Sequence, residues 1–433
     1  MIMNGRSKRV RGAALGCAAL TFASCGGDRS APDASEPIRL WHSMAGRLSQ
    51  PLDELVEAYG QAHPERAIES VSMPSYEALS QKIMAAVAAG GPPDVAQCYE
   101  AWTANLIENE SLAPMDPLFA GPNGLSAESR ADIHAIFLEG ATQNGTVWSF
   151  PFNKSVRALY YNKDLYRRVG LDPERPPRTW EEYRAFAKRL TVDGDGDGKP
   201  ETFGVASQIT VTMFENLIVQ NGGSLLTEDE TRVAFDSPEG IEALEFMADL
   251  LVNDGSAILS QGYEYQNEFL AGKVGMIEGS SVSLVFMDGK YEFELGLAAL
   301  PAGVRDTQLV AGTDVVIFRT TPERERVAWD FVKWFTDTEQ TARWSALTGY
   351  LPVRKSAMTH PVLVDKLESK PGLGEVYGQL ERALPQPKAP GWYAGRTILE
   401  REAIEPVLRG RMQPAEALRA AATKANRELA GGL

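Results

Sequence analysis

The sequence predicts an α/β protein of two lobes, each a mainly parallel sheet flanked by helices. Three observations lead there. The chain has 433 residues, 44% of them hydrophobic, which is too long for one compact core. From Ile38 onward, short apolar strands alternate with amphipathic helices, the pattern of parallel strands lying between helical layers. A second run of similar units begins after Phe150.

Ile38 to Trp41 is the first predicted strand. Leu52, Leu55, Val56 and Tyr59 then recur at helical spacing, with Asp53, Glu54 and Glu57 on the wet side. Ala67 to Val71 is the second strand. A helix from Tyr76 to about Ala89 stops at Gly90-Gly91-Pro92-Pro93, and Asp94 to Tyr99 is the third strand. In a doubly wound sheet, ligands bind beyond the carboxyl ends of the strands, so His42, Ser43 and Glu100 fall where a site is expected. Further on, Thr179-Trp180-Glu181-Glu182 forms a capping box, and Ser237-Pro238 and Thr321-Pro322 pair an N-cap with a first-turn proline. These signals predict helices from about 180, 238 and 322. In the last of them Val327, Phe331, Val332 and Phe335 make a core stripe.

The N-terminus indicates export. Arg6, Lys8, Arg9 and Arg11 precede an apolar, Ala-rich run from Gly12 to Ala23, the basic-then-apolar plan of a secretory signal. The run is shorter than the about 20 apolar residues that span a bilayer. Phe22-Ala23-Ser24-Cys25 resembles a bacterial lipobox, with Phe22 at the usual place of a leucine. It makes residues 1–24 a signal peptide and Cys25 the acylated N-terminus of the mature chain; a plain secretory signal with an incidental cysteine is the alternative. Residues 25–37, rich in Gly, Ser, Asp and Pro, are expected to tether lipid to folded body. Cys17 is a poorer anchor, and Cys98 is expected as a buried apolar filler.

The formal charge of −15 speaks against nucleic acid or an anionic membrane surface as partner, since both reward basic patches. It leaves room for a small anion, which one buried arginine, a few hydroxyls and a helix N-terminus can hold. Asp193, Asp195, Asp197 and Gly198 follow the spacing of a calcium loop, with Glu201 at its ninth position, but Gly204 stands where the bidentate glutamate belongs. A structural calcium and a plain Asp/Gly turn both remain open, and no other cofactor is expected. An exported hydrolase is the rival class. His42, His63, His134 and His360 sit in no catalytic motif, and the chain lacks a nucleophile elbow, a His-Glu-x-x-His pair and a phosphate-cradling loop. A lipoprotein that binds only other proteins is a third class.

Several segments resemble family 1 extracellular solute-binding proteins of carbohydrate-type ABC importers. They are Trp41-His42-Ser43-Met44, Pro151-Phe152-Asn153, Leu159-Tyr160-Tyr161-Asn162-Lys163-Asp164, Gly170-Leu171-Asp172-Pro173, Phe269-Leu270-Ala271-Gly272-Lys273, Gly279-Ser280-Ser281 and Thr348-Gly349-Tyr350-Leu351-Pro352-Val353. The first and last point toward the glycerol-3-phosphate-binding branch. The resemblance implies a periplasmic-binding-protein fold with three interlobe crossovers, placed near 152, 302 and 348. The N-terminal lobe would comprise 38–152 and 302–347, and the C-terminal lobe 153–301 and 348–433. It also implies a monomeric, non-enzymatic receptor that closes on its ligand and presents it to the importer's membrane subunits.

By the same resemblance, a glycerol-phosphate pocket falls on Tyr76, Glu100, Ser155, Ser281, Gly312 and Tyr350, with an arginine at Arg396 or, by counting from Leu408-Arg409-Gly410, with Thr397 in its place. Trp41 and Ser43 join the candidates from the first motif. Glu100 would accept from glycerol hydroxyls while Ser155, Ser281, Tyr350 and the Gly312 amide donate to phosphate. The family's glycerol-contacting tryptophans fall on Gln208 and Val211, which implies a larger or differently shaped ligand, such as a glycerophosphodiester. Trp392-Tyr393-Ala394 resembles a sugar-stacking stretch of the same family, so an oligosaccharide is the alternative ligand.

Overall fold

The computed structural model describes residues 36–431; the signal segment, Cys17, Cys25 and the tether up to residue 35 lie outside the described residues. Ten strands carry the architecture: β1 (Ile38–His42), β2 (Ile68–Ser72), β3 (Val95–Cys98), β4 (Phe150–Ser155), β5 (Arg157–Asn162), β6 (Phe203–Gln208), β7 (Ala257–Ser260), β8 (Val274–Ser280), β9 (Leu295–Ala298) and β10 (Ala311–Ile317). They form two five-stranded sheets, ordered β2-β1-β3-β10-β4 and β9-β5-β8-β6-β7. In the first, β1 runs parallel to β2 and β3, while β10 is antiparallel to β3 and β4. In the second, β6, β7 and β8 are parallel, and β5 is antiparallel to β8 and β9. The α/β class with two mainly parallel sheets is therefore what the chain adopts.

Ten helices matter for the site: α1 (Ser49–Ala62), α2 (Tyr76–Ala88), α3 (Glu100–Glu108), α4 (Trp180–Leu190), α5 (Val211–Gln220), α6 (Pro238–Val252), α7 (Pro322–Phe335), α8 (Thr338–Thr348), α9 (Trp392–Leu399) and α10 (Pro414–Gly431). Three start where the capping residues place them. The side chains of Thr179, Ser237 and Thr321 accept from the N–H groups of Glu182, Gly240 and Arg324. The box at α4 closes differently from the standard form: Glu182 accepts from the N–H of Arg178 at 2.8 Å, while the N–H of Trp180 donates to Ala302. On α7 Phe331, Val332 and Phe335 are buried, with Val327 packed at the margin of the same cluster.

The chain leaves the first sheet at Val156, between β4 and β5, so the expected boundary after 152 falls inside a strand. Asn153, Lys154 and Ser155 pair with Thr313, Gly312 and Ala311 of β10. All six residues of β4 are buried; of the polar ones, Asn153 bonds Gln97, Tyr76 and Thr313, and Lys154 pairs with Glu100 and Asp314. The chain returns between Ala298 and Ala311, and after Thr348 it runs to α9 and α10, which share a hydrophobic cluster with α5 and α6 through Trp392, Leu418, Leu217 and Leu244. Cys98 is buried in the cluster of Trp41 and Trp102, and burial pushes its thiol far up, as befits an apolar filler.

Candidate functional site

Strand β3 ends at Cys98, Tyr99 stays extended at φ −77° and ψ 157°, and Glu100 opens α3. That turn places Glu100 beside a cavity of about 100 Å3, bordered also by Tyr99, Thr212, Gly312, Tyr393 and Arg396. The lining thus comes from α3, α5, α9 and the start of β10. Gly312 has φ 103°, and a Cβ there would lie 2.0 Å from the carbonyl oxygen of Asn153. Glycine alone lets β10 approach β4 this closely.

Three ion pairs in two groups back the cavity. On one wall the Lys154 ammonium, 2% exposed, sits 2.7 Å from Glu100 Oε1 and 2.7 Å from Asp314 Oδ1. Asp314 Oδ2 accepts from the Ser149 hydroxyl at 2.8 Å. Burial alone would lower the Lys154 pKa, but the carboxylates of Asp314 and Glu100 more than reverse this and hold it protonated. Burial raises the Asp314 pKa against the pull of Lys154. On the other wall Arg396 donates from Nε and Nη2 to the two oxygens of Glu215, at 2.6 and 2.8 Å. Glu215 is fully buried, and its charge overcomes the desolvation of Arg396 and raises the arginine further.

Helix phase brings Arg396, and not Thr397, to the cavity. Arg396 borders the cavity, whereas Thr397 is exposed and donates its hydroxyl to Tyr393 O. Tyr393, 36% exposed, lies 5.9 Å from the Tyr99 ring and edge-on to Trp102 at 5.5 Å, joining α9 to α3. Trp392 is buried against Phe235 at 6.5 Å and borders the cavity from the core side; its indole N–H has no partner among the described residues.

The remaining candidates stand further back. Tyr76 lies 5.1 Å from Tyr99, and its hydroxyl accepts from Asn153 and Gln97 at 3.3 and 3.4 Å. Tyr350 stacks on Trp344 at 5.8 Å, and its carbonyl accepts from the Tyr377 hydroxyl at 3.2 Å. Ser155 is buried at the end of β4. The Ser281 hydroxyl is fully buried and donates to Gly349 O at 2.7 Å, so it is already used within the fold. Ser43 gives its N–H to Gln97 and its hydroxyl to Met73 O. Trp41 packs in the core beneath the Lys82 ammonium. His42 is buried, its Nδ1 accepting from Met44 N–H and its Nε2 bonded to Ser70.

Gln208 donates to Glu278 O and Val211 is buried, so neither replaces an aromatic wall. Tyr99, Thr212, Lys154 and Glu215 escaped the sequence reading. Lys154 adjoins a motif that was noticed, but nothing local announces its partners. Elsewhere, Asp193, Asp195 and Asp197 bring a carboxylate oxygen each within 4.8 Å of one another on the surface, while Glu201 accepts from the N–H of Gly194 in the same loop at 2.7 Å.

The profile of the family described as Bacterial extracellular solute-binding protein matches residues 45–342. The chain is similar to the sn-glycerol-3-phosphate-binding periplasmic protein UgpB of Pectobacterium atrosepticum, at 26% identity over 95% of this chain and 94% of that one. The protein of the same name from Escherichia coli K12 is 26% identical over 90% and 92%. Among solved structures, the cyclic alpha-maltosyl-1,6-maltose binding protein from Arthrobacter globiformis has a TM-score of 0.77 and 26% identity, covering 92% of this chain and 100% of that one. UgpB from Mycobacterium tuberculosis, in complex with glycerophosphocholine, has a TM-score of 0.81 and 24% identity, covering 92% and 99%. The chain belongs to the bacterial extracellular solute-binding protein family, the non-catalytic receptors that present small solutes to ABC importers.

Proposed function

We propose that this receptor binds a glycerophosphodiester in the cavity bordered by α3, α5 and α9. One observation carries the reading: the first turns of three helices, at Glu100 and Ala101, at Thr212, and at Trp392 and Tyr393, border the same cavity as Arg396. Helix N-termini offer unpaired N–H groups and a partial positive charge of about half a unit, the standard cradle for a phosphate. At α5 the N–H groups of Val211 and Thr212 already donate to Glu400 and Thr210, at 2.9 and 3.4 Å, and at α9 that of Trp392 donates to Ala389 O at 3.1 Å, so α3 contributes most. Glu100 can accept from hydroxyls or face a cationic head group, and Tyr99 and Tyr393 add aromatic faces suited to the same cation. Relatives named for sn-glycerol-3-phosphate agree with this ligand chemistry.

The second reading is a neutral oligosaccharide. It is favoured by the exposed Tyr393 ring and by the similarity to a binding protein for a cyclic maltosyl-maltose. Calorimetric titration with glycerophosphocholine and maltose separates the two. Binding of glycerophosphocholine, weakened at least tenfold by Arg396→Lys, is the expected result; binding of maltose alone overturns the phosphodiester reading.

We further propose that each sheet with its helices forms a lobe, that the chain crosses between lobes at 156, between 298 and 311 and after 348, and that solute closes the pair. Ligand-induced compaction in small-angle scattering is the expected sign, and an unchanged radius counts against it. Acylation of Cys25 completes the proposal: Cys25→Ala is expected in the soluble fraction, and its retention on membranes would refute the anchor.

A further inference from the structure

We propose that Glu215 selects the charge of the solute: by neutralising Arg396 it makes the cavity accept ligands with no net charge or a single negative charge and reject phosphate dianions. The inference rests on the reading that this cavity binds glycerophosphoryl compounds, and it names which of them.

Arg396 is the only cation among the described residues that line the cavity. It is not free to answer a dianion, because Glu215 holds it with two short hydrogen bonds from a position without solvent exposure. The other nearby cation, Lys154, lies behind Glu100 and is shared between Glu100 and Asp314. Glu400, just after α9, accepts from the Val211 N–H beside the lining residue Thr212 and adds another carboxylate nearby. Two cations thus meet three carboxylates at the cavity walls, with a fourth close by, and no surplus positive charge remains.

What attracts an anion here is therefore the partial charge of helix ends and the N–H groups that Arg396 does not spend on Glu215. Partial charges balance one negative charge better than two. A phosphomonoester, with its second pKa near ~6, is mostly dianionic at neutral pH, whereas a phosphodiester carries one charge. A zwitterionic diester also places its cation where Glu100, Tyr99 and Tyr393 can receive it.

The test measures affinity for glycerol-3-phosphate and for its methyl diester, ligands that differ in charge and by one methyl group, in the wild type, Glu215→Gln and Glu215→Asp. In the wild type the diester is expected to bind at least tenfold more tightly. Glu215→Gln, which keeps the shape and removes the charge, is expected to erase most of that preference by strengthening glycerol-3-phosphate binding, and Glu215→Asp to retain it. A structural role alone would weaken both ligands together in Glu215→Gln. Equal affinities in the wild type, or an unchanged ratio in folded Glu215→Gln, overturn the proposal; if Glu215→Gln does not fold, the wild-type ratio decides. Should the wild type bind maltose and neither phosphate, the ligand reading fails, and the appearance of glycerol-3-phosphate binding in Glu215→Gln still decides the role of Glu215.

Discussion

The two walls of the cavity use the same chemistry with opposite polarity. On the first-sheet side an anion, Glu100, faces the cavity and a cation backs it; on the α9 side a cation, Arg396, faces the cavity and an anion backs it. Their depth differs. Glu100, Lys154 and Asp314 are 6%, 2% and 0% exposed, whereas the Arg396 side chain keeps 20% of its surface. A fully desolvated charge group is built into the fold, because losing one member strands the others away from water. Arg396, partly wet although Glu215 behind it is fully buried, can exchange contacts with a ligand. Lys154 and Asp314, which back the first wall, should therefore answer mutation mainly in stability, and Glu100 and Arg396, which border the cavity, mainly in binding.

The largest expected effect tests the deep wall. Lys154→Met leaves Glu100 and Asp314 without their cation, and a loss of about 3–5 kcal/mol is expected in chemical denaturation. A loss below about 1 kcal/mol would mean that the carboxylates reach water and that the walls differ less than their burial implies.

Acid should weaken the first sheet independently of either wall. His42 lies at the end of β1, and burial lowers its pKa from 6.5 to about 4. The unfolded chain then binds a proton that the folded chain refuses, so the stability from neutral His42 is complete above pH 6.5 and drains away as pH falls toward 4. The slope approaches about 1.4 kcal/mol per pH unit. His134 behaves alike, with burial the main cause and its pKa also lowered to about 4. Urea midpoints measured between pH 7 and 4 should decline along this window, and less steeply in His42→Gln; parallel curves would remove His42 from the account.

The smaller effects are on affinity. Glu100→Gln keeps the Lys154–Asp314 pair and removes the charge that faces the solute, so binding should weaken about ten- to a hundredfold with the fold intact. Tyr350→Phe, at a residue that does not border the cavity, gives up one neutral hydroxyl and should cost less than about tenfold. If Tyr350→Phe proves the more damaging, the solute reaches past the lining residues to Tyr350.

Much of this protein is written in short stretches of chain. The starts of α4, α6 and α7 are set by Thr179, Ser237 and Thr321 acting on N–H groups three residues away. The strands β1 and β3 follow from short, largely apolar stretches bounded by turn residues, and the position of Glu100 at a strand's carboxyl end follows from them. Such features depend on neighbours within one or two turns, so composition and period suffice to find them.

The charge of the cavity depends on partners that no local pattern names. Arg396 meets Glu215 across 181 positions and Lys154 meets Glu100 across 54. Whether residue 396 or 397 faces the cavity turns on the phase of α9, which packing against α10 and α5 sets. The Ser281 hydroxyl, a plausible phosphate donor by motif, is drawn instead to Gly349 O, 68 positions away. Period, caps and turns were determined by the sequence because they are short-range; net charge, helix phase and the satisfaction of buried hydroxyls came only with the assembled sheets, because each is a property of groups that folding alone brings within 3 Å.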